Sequence, residues 1–419
     1  MIALVDINAF YVSAEILFRP WLRDRPIVVA SSNDGAVVSR NDQAKALGIK
    51  MSQAIFELRE MTERNGLIVF SSNYELYQSL SNRFMAVLSE LAPVARGYSI
   101  DEAFCILDGM RDPEAWARHA QSEILRRIGL PVGIGIGPTA TLSKLASWAA
   151  KKYKARTGCV LDLSDPARQE KLLRFAKVSD VWGIGPRLSE RLSGELGIQT
   201  AWQLASTDPK ALRRQYSVNV ERTARELLGI RCVAFDGDTA RRQTIICSRS
   251  FGKRVTSLPL LKEAVAGFVT NAAQKLRSQG SFANCIQVFA RTSPFASGQQ
   301  YAGSRIVSLP FPTHDTRDLL QAALAGLVDL YRDGPEYAKA GIVLSQFEQR
   351  EGMTNDLFAP QPRKNSDALM AVVDAINAKQ GRGTVRLGRD TSVGQWSMRR
   401  EHLSPAYTTS WHGLPVARC

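Results

Sequence analysis

Two adjacent carboxylates, Asp101 and Glu102, interrupt an otherwise apolar stretch of the chain. Residues 1–6 have the apolar sequence of a buried strand, and this strand ends in a third carboxylate, Asp6. If the two stretches pair in one sheet, the three carboxylates meet, and divalent cations must offset their repulsion. An isolated Asp-Glu pair is more often a solvated turn, but the apolar flanks weaken that alternative here.

The two adjacent carboxylates also constrain the backbone, because successive side chains of a strand point to opposite faces. Asp101 and Glu102 therefore cannot both serve one site from a regular strand. We predict that they occupy the turn or an irregularity of a β-hairpin, and that Asp101 faces Asp6. A structure with Asp6 and Asp101 on opposite sides of the sheet would contradict this interpretation.

The charge balance points to a polyanionic partner. The chain has 54 Lys and Arg residues against 40 Asp and Glu, a net charge of +14, which favours nucleic acid, although an acidic membrane surface would also attract it. The sequence has no apolar run of about 18 residues and no basic region at its start, so neither a membrane span nor a signal peptide is predicted. We expect a soluble intracellular protein, and its 419 residues indicate several domains.

Residues that usually hold zinc or act as a histidine base are sparse. The 6 cysteines are scattered, without the spacing of a zinc site or a disulfide framework. Of the 4 histidines, His402 and His412 lie near the C-terminus. The chemistry of the chain is therefore expected to rest on its carboxylates.

Apolar spacing predicts the layout of the domain that carries them. Tyr74–Leu91 is typical of an amphipathic helix, and further helices are predicted at 116–128 and 139–152, on either side of a Gly-rich strand at 132–136. The order strand, helix, hairpin, helix, strand favours a split βαβ layout, with helices packed on one face of a mainly antiparallel sheet. A small α/β insertion, from Pro26 to Gly48, could cover a site.

The rest of the chain contains smaller units. Short helices are predicted from about residue 171 to 230, where Gly183 and Gly185 form either a phosphate-binding helix hairpin or a plain tight turn. A second α+β unit is predicted beyond a linker, followed by a polar connector at 346–366. Carboxylates from two strands, a covering insertion and a basic helix end together indicate two-metal phosphoryl chemistry. This chemistry suits a nuclease as well as a polymerase.

Several motifs, in order and spacing, resemble those of the Y-family translesion DNA polymerases. They are Asp6–Tyr11, Ser99–Phe104, Gly133–Gly137 followed by Lys144, and Trp182–Gly185. Five more stretches are similar to the UmuC group, the catalytic subunits of DNA polymerase V, namely residues 71–77, 246–252, 292–295, 377–383 and 403–409. The resemblance covers essentially the whole chain.

The resemblance implies an α+β multidomain, right-hand polymerase. Its expected parts are a ferredoxin-like palm (1–19 and 74–170), small fingers (20–73), a helical thumb with a helix-hairpin-helix (171–231), a linker (232–242), an α+β little finger (243–345) and a C-terminal partner-binding tail (346–419). Small fingers imply an open site that accepts distorted templates, with weak checking of base-pair shape and hence low fidelity.

The resemblance also implies roles for single residues. Asp6, Asp101 and Glu102 would be the catalytic residues and would bind two Mg²⁺ ions, with Mn²⁺ as an alternative ion, and the carbonyl oxygen of Ile7 would be a further ligand. Tyr11 matches the steric gate that rejects ribonucleotides. Judged by its position alone, Tyr11 could instead be a core aromatic.

Three further positions complete the expected nucleotide site. Phe10 would pack beside the sugar, and Lys45 and Lys151 would bind the triphosphate. Two residues depart from the family pattern, because Asp42 replaces a frequent Tyr and Ala140 a common Lys. A carboxylate at position 42 is not expected to help bind an anionic phosphate.

DNA and clamp contacts follow from the same resemblance. Gly183 and Gly185 in the thumb, and Arg249 and Lys253 in the little finger, would hold the DNA backbone without reading sequence. The sliding-clamp peptide of the UmuC group is degraded here to residues 354–358, in which only Leu357 and Phe358 survive. We therefore predict weakened clamp binding.

The implied function is error-prone, template-directed translesion synthesis in the SOS DNA-damage response, by transfer of dNTPs to a primer 3′-hydroxyl. The implied partners are primer–template DNA, dNTP, a UmuD′-like dimer, a RecA filament and the sliding clamp, with no membrane, in a DNA-associated cytoplasmic protein. The alternative is a non-catalytic DNA-binding scaffold that recruits repair partners. Retention of Asp6, Asp101, Glu102 and Tyr11 argues against a scaffold, and Tyr11, Lys45 and Lys151 argue against a nuclease.

Overall fold

The structure is a computed structural model that describes residues 1–235, 241–295, 299–350, 360, 362–381, 383–386 and 397–414. The predicted clamp residues Leu357 and Phe358 lie outside the described residues. The chain forms two compact units, one of Met1–Ser31, Gly35–Gly237 and His402–Cys419, the other of Ser32–Asp34 and Asp238–Glu401. Within the described ranges, no helix combines the length and the apolar character needed to cross a membrane.

The first unit contains two sheets and a set of mostly short helices. Its strands are β1 (Ile2–Ile7), β2 (Ile27–Ala30), β3 (Val37–Arg40), β4 (Ile68–Ser71), β5 (Val94–Gly97), β6 (Glu102–Ile106), β7 (Val132–Gly137) and β8 (Val160–Asp162). Its helices are α1 (Phe10–Leu17), α2 (Asp42–Ala46), α3 (Arg59–Asn65), α4 (Tyr74–Leu91), α5 (Pro113–Ile128), α6 (Ala140–Lys152), α7 (Lys154–Thr157), α8 (Pro166–Phe175), α9 (Pro186–Leu196), α10 (Ala201–Ser206), α11 (Pro209–Gln215) and α12 (Val218–Leu227).

The larger sheet has the strand order β5-β6-β1-β7-β8. All of its pairings are antiparallel except β7 with β8, which confirms the mainly antiparallel sheet predicted from the sequence. The apolar strand β1 lies in its middle, and Asp6 pairs with Glu102 on one side and with Gly133 on the other. Asp6 and Glu102 therefore lie opposite each other at one end of the strand pair β1 and β6.

Helices cover both faces of this sheet, so the predicted packing on one face is wrong. Ile134 and Ile136 of β7 point into a core shared with α4 and α5. The alternate residues Gly133, Gly135 and Gly137 face α6 instead, and a Cβ atom at Gly135 would lie 2.0 Å from the backbone nitrogen of Ser147. Glycine lets the α6 backbone lie directly on the strand, a packing that the apolar pattern of β7 alone does not show.

The smaller sheet, of order β3-β2-β4, belongs to the predicted fingers. Asn41 joins it to α2, because its side-chain oxygen accepts hydrogen bonds from the backbone nitrogens of Ala44 and Ile27, each 3.0 Å long. Its amide also donates to the carbonyl oxygen of Arg25 over 2.7 Å. Asn41 thus caps α2 and fixes the helix that carries Lys45.

The predicted helix hairpin around Gly183 begins with a single 3₁₀ turn, Val178–Asp180, and continues into α9. Gly183 has φ +87°, a conformation that glycine adopts without strain. Gly185 is the N-cap residue of α9, and Pro186 occupies the first helical position.

The second unit has one antiparallel sheet of order β11-β10-β12-β9. Its strands are β9 (Ile245–Val255), β10 (Ser281–Thr292), β11 (Ala302–Thr313) and β12 (Tyr337–Gln349), and its helices are α13 (Leu258–Ser278), α14 (Thr316–Leu330) and α15 (Ser366–Gln380). Strand β11 was not predicted. It is an edge strand in which all residues except Thr313 are exposed or half-buried, and it contains Pro310 and Pro312. An edge strand tolerates the missing N–H groups of proline.

Candidate active site

Two of the three predicted carboxylates form ion pairs across the sheet face that α6 covers. The ammonium nitrogen of Lys151 lies 2.5 Å from Asp6 Oδ2, and that of Lys144 lies 3.0 Å and 3.1 Å from the two Glu102 oxygens. Both lysines come from α6, which places them opposite β1 and β6. The close packing of α6 on the glycines of β7 therefore places the two lysine ammonium groups next to the carboxylates.

Burial raises the pKa of the Asp6 carboxyl to about 7. Lys151 opposes this rise, and the neighbouring Glu102 adds to it. A carboxyl in such surroundings ionises readily only beside positive charge. The positive charge beside Asp6 in this structure is the Lys151 ammonium.

Asp101 lies between β5 and β6, outside both strands. Its carbonyl oxygen accepts a hydrogen bond from the Ile7 nitrogen over 3.0 Å, and its carboxylate accepts one from the Ser99 hydroxyl over 2.5 Å. The predicted departure from regular strand geometry is confirmed for Asp101, whereas Glu102 is the first residue of β6 and pairs with Asp6. Asp101 and Asp6 both line one cavity, so the two residues are not separated by the sheet.

This cavity has a volume of about 390 Å³ and also adjoins Ile7, Phe10, Tyr11 and Lys45. The carboxylates do not form a preassembled metal cage, because no group of three His, Cys, Asp or Glu side chains among the described residues is placed to hold a metal ion. The lining does offer the right donors for Mg²⁺, which prefers carboxylate and carbonyl oxygens. Asp6, Asp101 and Ile7 thus fit the ion chemically, with Glu102 next to Asp6 on the neighbouring strand.

Tyr11 lies on a platform of aromatic rings. Its ring stacks on Tyr77 at a centroid distance of 4.3 Å and an angle of 12°, and it meets Tyr74 edge-on at 6.4 Å. Phe10 is buried in the core, 6.0 Å from Tyr77. Tyr11 therefore stacks on the core residue Tyr77 and also lines the cavity.

Lys45 lines the same cavity and a larger one of about 700 Å³, which also contains Lys144 and Lys151. The Lys45 ammonium lies 2.9 Å from Asp42 Oδ1, and Lys154 of α7 contacts the other oxygen of Asp42. The two lysines lower the pKa of the Asp42 carboxyl. Asp42 thus holds Lys45 by charge, a role that the sequence did not predict.

Two further cations at the site were not recognised as site residues from the sequence. Arg40 lines both cavities and donates to the carbonyl oxygen of Ile49. Lys144 lies over the rings of Tyr98 at 4.5 Å and Trp182 at 5.4 Å. The signal for Lys144 was its place after the Gly-rich strand, whereas Arg40 has no distinguishing neighbour in the sequence.

The predicted DNA-binding residues lie in different units. Gly183 and Gly185 precede α9 in the first unit. Arg249 and Lys253 are exposed on β9, an edge strand of the second unit. Their placement on backbone turns and on an exposed strand is suitable for contacts with phosphate groups.

Family models match most of the chain. The impB/mucB/samB family matches residues 5–148, and its C-terminal domain matches residues 242–357. A third match, residues 367–417, is described as a domain of unknown function. Protein UmuC of Salmonella typhimurium is 44% identical over 419 residues, 99% of each chain. DNA polymerase IV of Caulobacter vibrioides is 27% identical over 393 residues, 93% of each chain.

Solved structures of Y-family DNA polymerases have a fold similar to that of this chain. A Y-family DNA polymerase chimera of Dbh and Dpo4 has a TM-score of 0.64 and 22% identity, and covers 84% of this chain and 100% of its own. An insertion ternary complex of Dbh DNA polymerase has a TM-score of 0.54 and 20% identity, with the same coverage. The α+β polymerase fold predicted from the sequence is therefore confirmed.

Proposed function

This chain belongs to the impB/mucB/samB family, and on that premise we propose that it is a template-directed DNA polymerase of the translesion type. The observation that carries the proposal is the cavity shared by Asp6, Asp101, Tyr11 and Lys45. It brings together carboxylates for divalent cations, a ring for a sugar and a cation for a triphosphate. A nuclease would not need the ring and the lysine in this arrangement.

Asp6, Asp101 and Glu102 would hold two Mg²⁺ ions, with Mn²⁺ as an alternative, and the Ile7 carbonyl would add a ligand. When bound, the ions would stabilise the attacking primer 3′ oxygen and the leaving pyrophosphate. Lys151 and Lys144 now neutralise Asp6 and Glu102. Bound cations would take over that role, which would free the Lys151 ammonium for the triphosphate.

Lys45 would bind the same triphosphate from the fingers side, helped by Arg40, which lines both cavities. The Tyr11 ring, fixed on Tyr77, would collide with a 2′-hydroxyl and reject ribonucleotides. Phe10 would hold Tyr11 from the side, since the two ring centroids are 5.5 Å apart.

The finer parts of the proposal rest on family membership. We assign residues 1–19 and 74–170 to the palm, 20–73 to the fingers, 171–231 to the thumb, 243–345 to the little finger and 346–419 to a tail. Gly183, Gly185, Arg249 and Lys253 would hold primer–template DNA by its backbone. Error-prone synthesis in the SOS response, a UmuD′-like dimer, a RecA filament and weakened clamp binding belong to the same proposal.

Primer extension on gapped DNA tests the proposal. The wild type should extend the primer in Mg²⁺, and Asp101→Asn should abolish extension while DNA binding is kept, because it removes one negative charge from the cavity without changing the fold. Asp24→Asn, an exposed carboxylate outside both cavities, is the matched control. DNA binding without extension by the wild type would support the scaffold alternative, and shortening of the primer would support a nuclease.

A further inference from the structure

The C-terminal segment 402–414 belongs to the first unit and packs on its helices α1 and α4, close to the aromatic rings that contact Tyr11. The Tyr407 ring stacks on Phe18 of α1 at 4.5 Å and is 8% exposed. The Arg19 guanidinium lies 5.6 Å from the same ring. The segment is therefore anchored on the end of α1, the helix that carries Tyr11 in its first turn.

A second set of contacts ties the segment to the start of α4. The backbone nitrogen of Ser71 donates to the His402 carbonyl oxygen over 3.0 Å, and the Asn73 amide donates to the Ser404 hydroxyl oxygen over 2.9 Å and to its carbonyl oxygen over 3.1 Å. The other end of the Asn73 side chain caps α4 through the Leu76 nitrogen. One side chain thus joins the segment to the first turn of α4.

The two contact regions meet at Glu15, a fully buried carboxylate of α1. Its Oε1 accepts hydrogen bonds from the Tyr77 hydroxyl over 2.8 Å and from the Ser404 hydroxyl over 3.0 Å. The Arg19 guanidinium lies 3.3 Å from Oε2. Burial raises the pKa of Glu15, and these three partners act in the opposite direction by favouring its charged form.

Tyr77 connects Glu15 to Tyr11 in the candidate active site. Its ring is fully buried and lies face to face with Tyr11 at 4.3 Å. The hydrogen bond from its hydroxyl to a buried carboxylate holds the Tyr77 ring in addition to packing. Such a bond is stronger than a hydrogen bond between neutral groups. The Tyr11 ring cannot recede from a bound sugar unless Tyr77 also moves.

We infer that segment 402–407 is a positioning element for Tyr11, holding Tyr77 in place through Ser404 and Glu15, and thereby sets how strongly the site rejects ribonucleotides. The inference rests on the proposed function, in which Tyr11 excludes the 2′-hydroxyl. It assigns a role to part of the region whose family match carries no function, residues 367–417. Glu15, Tyr77 and Ser404 do not line the cavity at Tyr11, so their effect would be exerted through the Tyr11 ring.

The test compares single-nucleotide insertion by full-length Ser404→Ala, Tyr77→Phe and the double variant. Each single variant should raise the ratio of ribonucleotide to deoxyribonucleotide kcat/KM by roughly three- to ten-fold, the effect of one lost hydrogen bond. The double variant should exceed the larger single effect only slightly, because both substitutions break the same connection. Tyr77→Phe keeps the stacked ring, so it separates the hydrogen bond from packing.

Thr409→Ala is the control, because this side chain is exposed on the same segment. It should leave the ratio unchanged. A purely structural role would lower the unfolding temperature of Ser404→Ala without changing the ratio, and that result would overturn the inference. Tyr11→Ala must raise ribonucleotide use, and if it does so while Ser404→Ala and Tyr77→Phe do not, the proposed function stands and the inference falls.

Backbone amide exchange over residues 73–80 gives a readout that does not need polymerase activity. Ser404→Ala should exchange faster there than Thr409→Ala, because Asn73, which caps α4, loses one of its hydrogen bonds to the segment. Equal protection would overturn the inference even if the wild type fails to extend primers, a failure that would count separately against the proposed function.

Discussion

Gly135 in β7 lies directly under α6, where an added methyl group has no room. A Cβ atom there would lie 2.0 Å from the backbone nitrogen of Ser147 and 2.3 Å from the carbonyl oxygen of Ser143. Ordinary van der Waals contact begins at 3.4 Å. Since both clashing atoms belong to backbone, no change of rotamer relieves them, and α6 would have to recede by more than an ångström.

Gly135→Ala should therefore damage both stability and activity. Overpacking a core costs about 1–3 kcal/mol, and a clash with helix backbone places this variant at about 3 kcal/mol, a fall in Tm of roughly 6–12 °C. The displaced helix carries Lys144 and Lys151 away from Glu102 and Asp6. A shift of about 1 Å in a catalytic arrangement can cost about 100-fold in rate.

Thermal unfolding and primer extension measure the two effects separately. Gly194→Ala, in the exposed part of α9, is the matched control, because its Cβ would meet no atom within 4 Å. This control should be stabilised by about 0.5–1 kcal/mol, the usual gain from replacing glycine in a helix. A Gly135→Ala protein with the Tm and the extension rate of the wild type would refute the close packing of α6 on β7.

Three further outcomes follow from single contacts. Asp42→Asn should release Lys45 and lower the KM for dNTP by up to about five-fold, which corresponds to the energy of an exposed ion pair. Asp24→Asn is the control, and an unchanged KM in Asp42→Asn would show that Asp42 does not compete with the triphosphate for Lys45. Tyr407→Ala should make segment 402–414 more sensitive to protease, measured by limited proteolysis, while wild-type resistance would show that the anchor is elsewhere. The pKa of Glu15 is raised above its ordinary value of 4.5, so the folded protein binds a proton more readily at this carboxyl than the unfolded chain does. The wild type should therefore lose stability relative to Glu15→Gln as the pH rises above about 4.5. A difference in Tm between the two proteins that stays constant from pH 4 to 7 would contradict this.

Local spacing predicted the elements that hold the site. The bounds of α4, Tyr74–Leu91, are those predicted from apolar periodicity, and alternation along a strand predicted that Asp101 leaves regular geometry before Glu102. Motif order predicted the polymerase fold. The predictions of local structure succeed because periodicity and turn chemistry depend on residues that are close together in the sequence.

Contacts between distant residues depended on the tertiary structure. The sequence marked Asp6, Asp101, Glu102 and Tyr11, but only packing showed that α6 lies on the glycine face of β7 and brings Lys144 and Lys151 to the carboxylates. Likewise, Ser404 and Glu15 are 389 positions apart, and no periodic pattern connects them. The sequence by itself determined which groups and elements the chain possesses, whereas the folded backbone decided which charges neutralise one another and what lies beneath Tyr11, because these depend on distances that close only when the helices pack on the sheet.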